Sequence, residues 1–217
     1  GVLLLSIMIN WAFALVVTGG RSSRNARIML VLAIAANLAM LCSLKYANFI
    51  VDNLNLLLTA FSIVPVSLRP VHLPIGISFF AFQGMSYVID VYRGTCAPQK
   101  RLLKMAMYKS FFPQLIAGPI VRYVDVKEQI ENRSVTADDF ALGVRRFVIG
   151  LAKKMIIANA VARPVDDIFA LPTTQLTAGL AWLAVVGYAL QIYFDFSGYS
   201  DMAIGLARMF GFRFLEN

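Results

Sequence analysis

Only one histidine, two cysteines and two tryptophans occur among the 217 residues, so most familiar catalytic and metal chemistry is already excluded. The single His72 stands between Pro70 and Pro74 with no nucleophile nearby, which reads as structural or exposed rather than catalytic. Cys42 lies in an apolar run and Cys96 in a basic loop, a placement that argues against a disulfide framework. No zinc spacing, P-loop, GxGxxG, nucleophile elbow or internal repeat is present, so the common soluble-enzyme signatures do not apply and no metal is expected. Charge is equally scarce. Charged residues make up 15% against 59% hydrophobic, with a mean hydropathy of +0.70, too apolar for an ordinary soluble domain. The composition is that of a polytopic membrane protein, and with its apolar runs read as helices the expected fold class is all-α. Acid is scarcer than base, at 12 residues against 20, for a net charge of +8. The basic residues fall between apolar runs and match no nucleic-acid-binding module, so they are read as positive loops flanking membrane spans.

What is present can be taken in chain order. The sequence opens on Gly1 and an apolar run, Val2 to Val17, which lacks a basic leader and is expected to be a transmembrane helix. Arg21, Arg24 and Arg27 mark a cytoplasmic connection, and Ile28 to Leu44 a second span that continues through Lys45, Tyr46 and Phe49 towards Asp52. Leu54 to Val64 is shorter than the roughly 20 residues a crossing needs, so an interfacial or re-entrant segment is expected. Pro65, Pro70 and Pro74 predict irregular chain over Val66 to Leu73.

Ile75 to Tyr92 reads as a helix with Gln83, Ser86, Tyr87 and Asp90 on one face, either bonding to a neighbouring helix or walling a cavity. Arg93, Lys100, Arg101 and Lys104 follow in a second cytoplasmic loop. In Met105 to Ile120, Pro113, Gly118 and Pro119 break the helix. PQLIAGP is either a re-entrant lining with Gln114 as its polar side chain, or a kink repaired by neighbours. Arg122 to Asp139 reads as a solvated connection leading to a helix that starts near Thr136, with Asp138 and Asp139 in its first turn. The long helix Phe140 to Ala162 carries Gly143 and Gly150, seven apart and suited to close helix approach. Its Arg146, Lys153 and Lys154 are expected to meet lipid headgroups, the other reading being a phosphorylated acyl donor. Pro164 and Pro172 then bracket a short segment before the last span, Leu176 to Phe194.

The most informative stretch is Tyr188 to Phe214. Tyr193, Asp195, Ser197, Tyr199, Ser200, Asp201 and Arg208 interrupt an otherwise apolar run. A carboxylate at bilayer depth costs about 2.5 to 3.5 kcal/mol on insertion scales, so such residues face protein or a wet cavity. One reading makes Asp195 or Ser197 the cap of a final helix starting near Tyr199, with Asp201 in its first turn and Gly198 and Gly205 on one packing face. Capping accounts for single residues and leaves most of the cluster unexplained.

Four blocks carry a family resemblance: HLPIGISFFAFQGMSYVIDVYRG at 72–94, FFPQLIAGPIVRY at 111–123, GLAKKMIIANAVA at 150–162 and YFDFSGYSDMAIGLARMFGFRF at 193–214. Together the chain resembles the membrane-bound O-acyltransferases, closest to the bacterial branch of alginate O-acetyltransferases and D-alanyl-lipoteichoic acid transfer proteins, the alginate type favoured. The resemblance implies a helical bundle around a funnel in the bacterial cytoplasmic (inner) membrane, with residues 1–217 forming one partial domain truncated at both ends. It implies an acyl donor, acetyl-CoA or an acyl-carrier thioester, as substrate rather than bound cofactor. The acyl group passes to an extracytoplasmic partner acyltransferase or polysaccharide acceptor such as alginate, or as D-alanine to teichoic acid. The family's catalytic histidine follows the segment matching 193–214 in a Trp-His motif. No catalytic residue is therefore expected within this sequence, and the piece alone is expected to be inactive. Gln114, Gly118, Pro119, Tyr193, Asp195, Ser197, Tyr199, Ser200 and Asp201 are left as tunnel or supporting residues, with Gln83, Ser86, Tyr87 and Asp90 as a second polar stripe. By residue pattern alone, a transporter or flippase and a structural scaffold stay open.

Overall fold

The computed structural model describes residues 1–17, 23–67, 73–115 and 118–216, and every regular element among them is helical. Arg21, Pro70 and His72 lie outside the described residues. The chain divides into two compact units, Gly1–Phe111 with Arg122–Val124, and Phe112–Val121 with Asp125–Asn217.

The first unit contains α1 (Val2–Val16), α2 (Arg24–Lys45), α3 (Ala47–Ala60), α4 (Ile77–Arg93) and α5 (Leu102–Ser110). In α1 the buried positions are Ser6, Ile7, Asn10 and Ala14, one stripe at helical spacing that packs against α2, α4 and α5. Two amides hold that stripe to α2. Asn10 and Asn37 exchange hydrogen bonds of 3.0 Å in both directions, while Asn10 also donates to the Ser6 carbonyl at 2.8 Å. Lys109 of α5 donates to Ser6 Oγ at 2.7 Å, so a buried polar seam runs from α5 through α1 to α2. The seam leaves no room on α4, where a Cβ on Gly84 would lie 2.5 Å from Asn10 Nδ2.

The expected helix over Ile75 to Tyr92 is observed as α4, closed at its C-terminus by Gly94 at φ 75°. Thr95 N donates to Asp90 O and Gly94 N to Val91 O, the pairing that satisfies a helix's last carbonyls when glycine adopts the left-handed conformation. The short apolar run near residue 54 forms part of α3, none of whose residues is buried. Beyond it Val66 and Ser67 have no regular structure, and Asn55 holds Val66 by hydrogen bonds to its N–H and carbonyl, 2.7 and 2.9 Å long.

The second unit opens with a short 3-10 turn, Phe112–Gln114, and Gly118 at φ 98°, so the Pro/Gly-rich segment is broken as expected. Two of its residues, Ile116 and Ala117, are outside the described set. The connection expected over Arg122 to Asp139 contains a further helix, α6 (Tyr123–Glu131). Thr136 caps α7 (Ala137–Ala152) as its sequence indicates, its Oγ1 accepting from Asp139 N at 3.1 Å. Helical chain continues through a π-helical stretch, Lys153–Ala158, into α8 (Asn159–Phe169). Pro164 lies inside α8 and does not end the helix. Burial of Val165 and Ile168 against α9 offsets its missing donor, and the approach is close because α9 offers Gly187, where a Cβ would sit 2.6 Å from Val165 Cγ2.

The last helix corrects the sequence reading most. Ala178–Met209 is one α9 of 32 residues, about 48 Å long at 1.5 Å per residue, and no second helix starts near Tyr199. Asp195 and Ser197 are therefore helix-interior residues. Thr177 performs the capping, with its Oγ1 accepting from Leu180 N.

Helices α7 and α9 run antiparallel along a glycine seam. A Cβ on Gly143 would lie 2.7 Å from Gly205 O and one on Gly205 2.6 Å from Gly143 O. Gly150 and Gly198 repeat the relationship at 2.5 and 2.7 Å. The seven-residue spacing in both helices brings these pairs into register, two turns apart. By length and composition α2 and α9 are long and apolar enough to cross a membrane, while α1 is a shorter apolar helix.

Candidate functional site

The polar cluster of α9 is organised by the glycine seam. Once Gly150 meets Gly198, residues 146, 153 and 154 fall opposite positions 195 to 201. Arg146 donates through Nε and Nη2 to Asp201 Oδ1 at 3.1 and 3.0 Å. Lys153 donates to Asp201 Oδ2 at 2.5 Å and to Ser197 Oγ at 3.1 Å, while Lys154 pairs with Asp195. The π-helical stretch lets two consecutive lysines reach carboxylates six residues apart on α9. At the far end of the seam Arg208 donates to Asp139 at 3.1 Å.

Arg146, Lys153 and Lys154, expected to meet lipid headgroups or a phosphorylated acyl donor, are paired with carboxylates within the unit. Their charges are taken by acids on the neighbouring helix, because a paired carboxylate avoids most of the desolvation cost a lone one would carry. Glu216, beyond the end of α9, completes the set with two hydrogen bonds from Arg146, which hold its carboxyl below the usual carboxylate range.

Beside the ion pairs lies a cleft of about 370 Å³. Arg146, Asp201, Ser197 and Ser200 form its polar side; Ile192, Tyr193, Phe196 and Ile204 form the rest. Of the residues expected to act together, the structure brings Tyr193, Ser197, Ser200 and Asp201 to this cleft. Asp195 is half exposed and serves Lys154. Tyr199 turns to another face of α9, where a Cβ on Gly118 would lie 3.4 Å from its ring and 3.3 Å from Ala203 Cβ. Gln114 and Pro119 are buried in the same unit. The second stripe belongs to the other unit and is occupied by packing. Asp90 is salt-bridged to Arg122, Tyr87 OH accepts from Gln99 N at 2.8 Å, and Ser86 donates to the Gln83 carbonyl at 2.9 Å. Among the described residues no three His, Cys, Asp or Glu side chains could hold a metal.

Glu216 joins the site although sequence reading did not single it out, and Arg146 joins it as the partner of Asp201. The signal that finds Arg146 is the pairing of the two glycine repeats, since an antiparallel register fixed at 150 and 198 sets 146 against 201.

The model of the membrane-bound O-acyltransferase family matches residues 97–217, more than half of the chain and all of the cleft. The chain belongs to this family. Its relatives include a protein of Pseudomonas putida named "Probable alginate O-acetylase AlgI", 47% identical over 95% of this chain and 42% of the relative. A peptidoglycan O-acetyltransferase of Helicobacter pylori is 33% identical over 96% of this chain and 44% of the relative. A teichoic acid D-alanyltransferase of Bacillus subtilis is 27% identical over 66% of this chain. The chain spans about two-fifths of the length of these curated relatives. Within this membrane-bound O-acyltransferase chain, the matched region holds the whole glycine seam and every ion pair around Asp201.

Proposed function

We propose that this chain forms part of a multi-pass O-acetyltransferase of the bacterial cytoplasmic membrane, which moves an acetyl group from a thioester donor on the cytoplasmic side to a cell-surface polysaccharide. Alginate is the favoured acceptor. The observation that carries this reading is the 47% identity, over nearly the whole chain, to a relative bearing an alginate O-acetylase name. In this reading α2 and α9 cross the bilayer, residues 1–217 belong to one transmembrane domain, and the acetyl group is handed to the polymer directly or through an extracytoplasmic acyltransferase. The donor is acetyl-CoA or an acyl-carrier thioester.

The cleft suits the reaction without supplying its base. Transfer requires a base to take the acceptor's proton. Both oxygens of Asp201 are engaged by cations, so that base is supplied by a group outside the cleft while Arg146, Lys153 and Asp201 keep its wall rigid.

The test is complementation. The complete gene product, expressed in an alginate producer lacking its own O-acetylase, is expected to restore O-acetyl groups to the secreted polymer, as measured by proton NMR. Replacement of Asp201 by Asn is expected to lower acetylation while leaving membrane insertion intact. A correctly inserted wild-type protein that transfers no acyl group to any polymer would overturn the reading. The Helicobacter pylori relative supports a second acceptor, and acetyl groups on peptidoglycan instead of alginate would keep acyl transfer and reassign the polymer.

A further inference from the structure

Ser197, like Ser6 of α1, has a lysine as the partner of its hydroxyl instead of a carbonyl of its own helix. A serine inside a helix commonly returns its proton to a carbonyl three or four residues earlier. Ser43, Ser86 and Ser110 do so, donating to Met40 O at 3.1 Å, Gln83 O at 2.9 Å and Ala106 O at 2.7 Å. Ser197 instead accepts from Lys153 Nζ at 3.1 Å, and among the described residues it donates to no acceptor. One turn on, the buried Ser200 Oγ has no hydrogen-bond partner among the described residues. Both serines line the cleft.

The neighbours of Ser197 decide which chemistry is available to its hydroxyl. Lys153 also donates to Asp201 at 2.5 Å, so its amino group is engaged by that carboxylate instead of standing ready as the base of a serine–lysine nucleophile pair. An ammonium donating to a hydroxyl oxygen polarises the O–H bond and strengthens it as a donor. Charge in the cleft is balanced, because Arg146 and Lys153 are matched by Asp201 and Glu216. A phosphate would find no free cation there. The neutral end of a ligand, with an apolar body and one strong acceptor, fits there, its body lying against Ile192, Phe196 and Ile204.

We infer that Ser197 is a catalytic hydrogen-bond donor to the carbonyl oxygen of an acyl thioester bound in this cleft, with Lys153 as the positioning residue that polarises it. This rests on the acyl-transfer reading above. As the acceptor oxygen bonds to the acyl carbon, the carbonyl π pair moves onto oxygen, where the Ser197 hydroxyl stabilises the growing negative charge. When the pair returns, the carbon–sulfur bond breaks. The thiolate leaves and takes up the proton lost by the acceptor hydroxyl.

The experiment uses the complete gene product with acetyl-CoA carrying ¹³C at the acetyl carbonyl. Isotope-edited infrared spectra are expected to show the bound carbonyl band moved to lower frequency in the wild type and in Ser197→Thr, which keeps the hydroxyl. In Ser197→Ala the band is expected to return to its position in solution, with kcat for acetyl transfer down roughly a hundredfold and KM little changed. The Lys153–Asp201 bridge persists in that variant, so its melting temperature is expected to stay near the wild-type value. An unshifted carbonyl band in the wild type, or equal bands and equal kcat in wild type and Ser197→Ala, overturns the inference while leaving acyl transfer standing. A wild-type protein with no acyl transfer from any thioester removes the reading and the inference together.

Discussion

Gly150 and Gly198 meet with their backbones in contact, so that a methyl group on either would fall within 2.7 Å of the other's carbonyl oxygen. Neither obstacle is a flexible side-chain tip; both are helix backbone. The contact holds the α7–α9 pair in the register on which the ion pairs depend.

Replacing Gly150 or Gly198 with Ala is therefore expected to destabilise the protein by about 1–3 kcal/mol, the usual cost of overpacking. Gly179 supplies the control, because nothing lies within 4 Å of its missing Cβ. Gly179→Ala should leave stability unchanged or raise it slightly, since alanine is the better helix former. Thermal unfolding of the detergent-solubilised variants, followed by circular dichroism, measures both.

The two lysine–aspartate pairs should differ in strength. The Asp201 side chain is 14% exposed and that of Asp195 51%. A double-mutant cycle with Lys153→Gln and Asp201→Asn is expected to give a coupling energy above about 1 kcal/mol. The same cycle with Lys154→Gln and Asp195→Asn should stay at or below about 1 kcal/mol and shrink with added salt, as solvent-screened pairs do.

Glu216 gives a pH signature. Hydrogen bonds from Arg146 lower its folded-state pKa from the ordinary 4.5. A carboxyl depressed on folding adds stability that is complete above its unfolded pKa and lost as pH falls through the folded one. Stability of the wild type should thus decline from about pH 4.5 downward more steeply than that of Glu216→Gln. The two curves should converge in stronger acid, as read from melting temperatures across the acid range.

In the first unit the Asn10–Asn37 exchange is closed off from solvent. Asn37→Ala leaves the buried Asn10 Oδ1 without its donor and should cost about 1–3 kcal/mol. Replacing both residues with Leu removes donor and acceptor together and should be less harmful than the single change. Chemical denaturation of the purified variants separates the two outcomes.

How far the sequence could be read depended on the distance over which each structural cause acts. Thr136 caps α7 through its own third neighbour, so that helix start was visible in local pattern. The glycine repeats were visible as repeats. The continuity of α9 was not, because Asp, Ser and Gly together favour helix ends when considered alone. What keeps residues 195–201 helical is a set of cations some 40 to 55 positions earlier, a relation that local pattern does not carry. Pro164 misled for a similar reason: the burial that offsets its lost bond comes from α9. In the candidate site the acids and serines could be picked out by type, whereas their division between the cleft, Lys154 and the Gly118 face needed the register.

Two interlocked glycine pairs also restrict how the second unit can move. A lengthwise slip of one helix past the other by a single turn, about 5.4 Å, would set each glycine against a side-chain-bearing residue and tear four salt links at once. Piston-like travel is thereby opposed, and two contact points two turns apart hold the crossing angle as well. The cleft beside Ser197 therefore has a wall that cannot slide lengthwise when a guest enters.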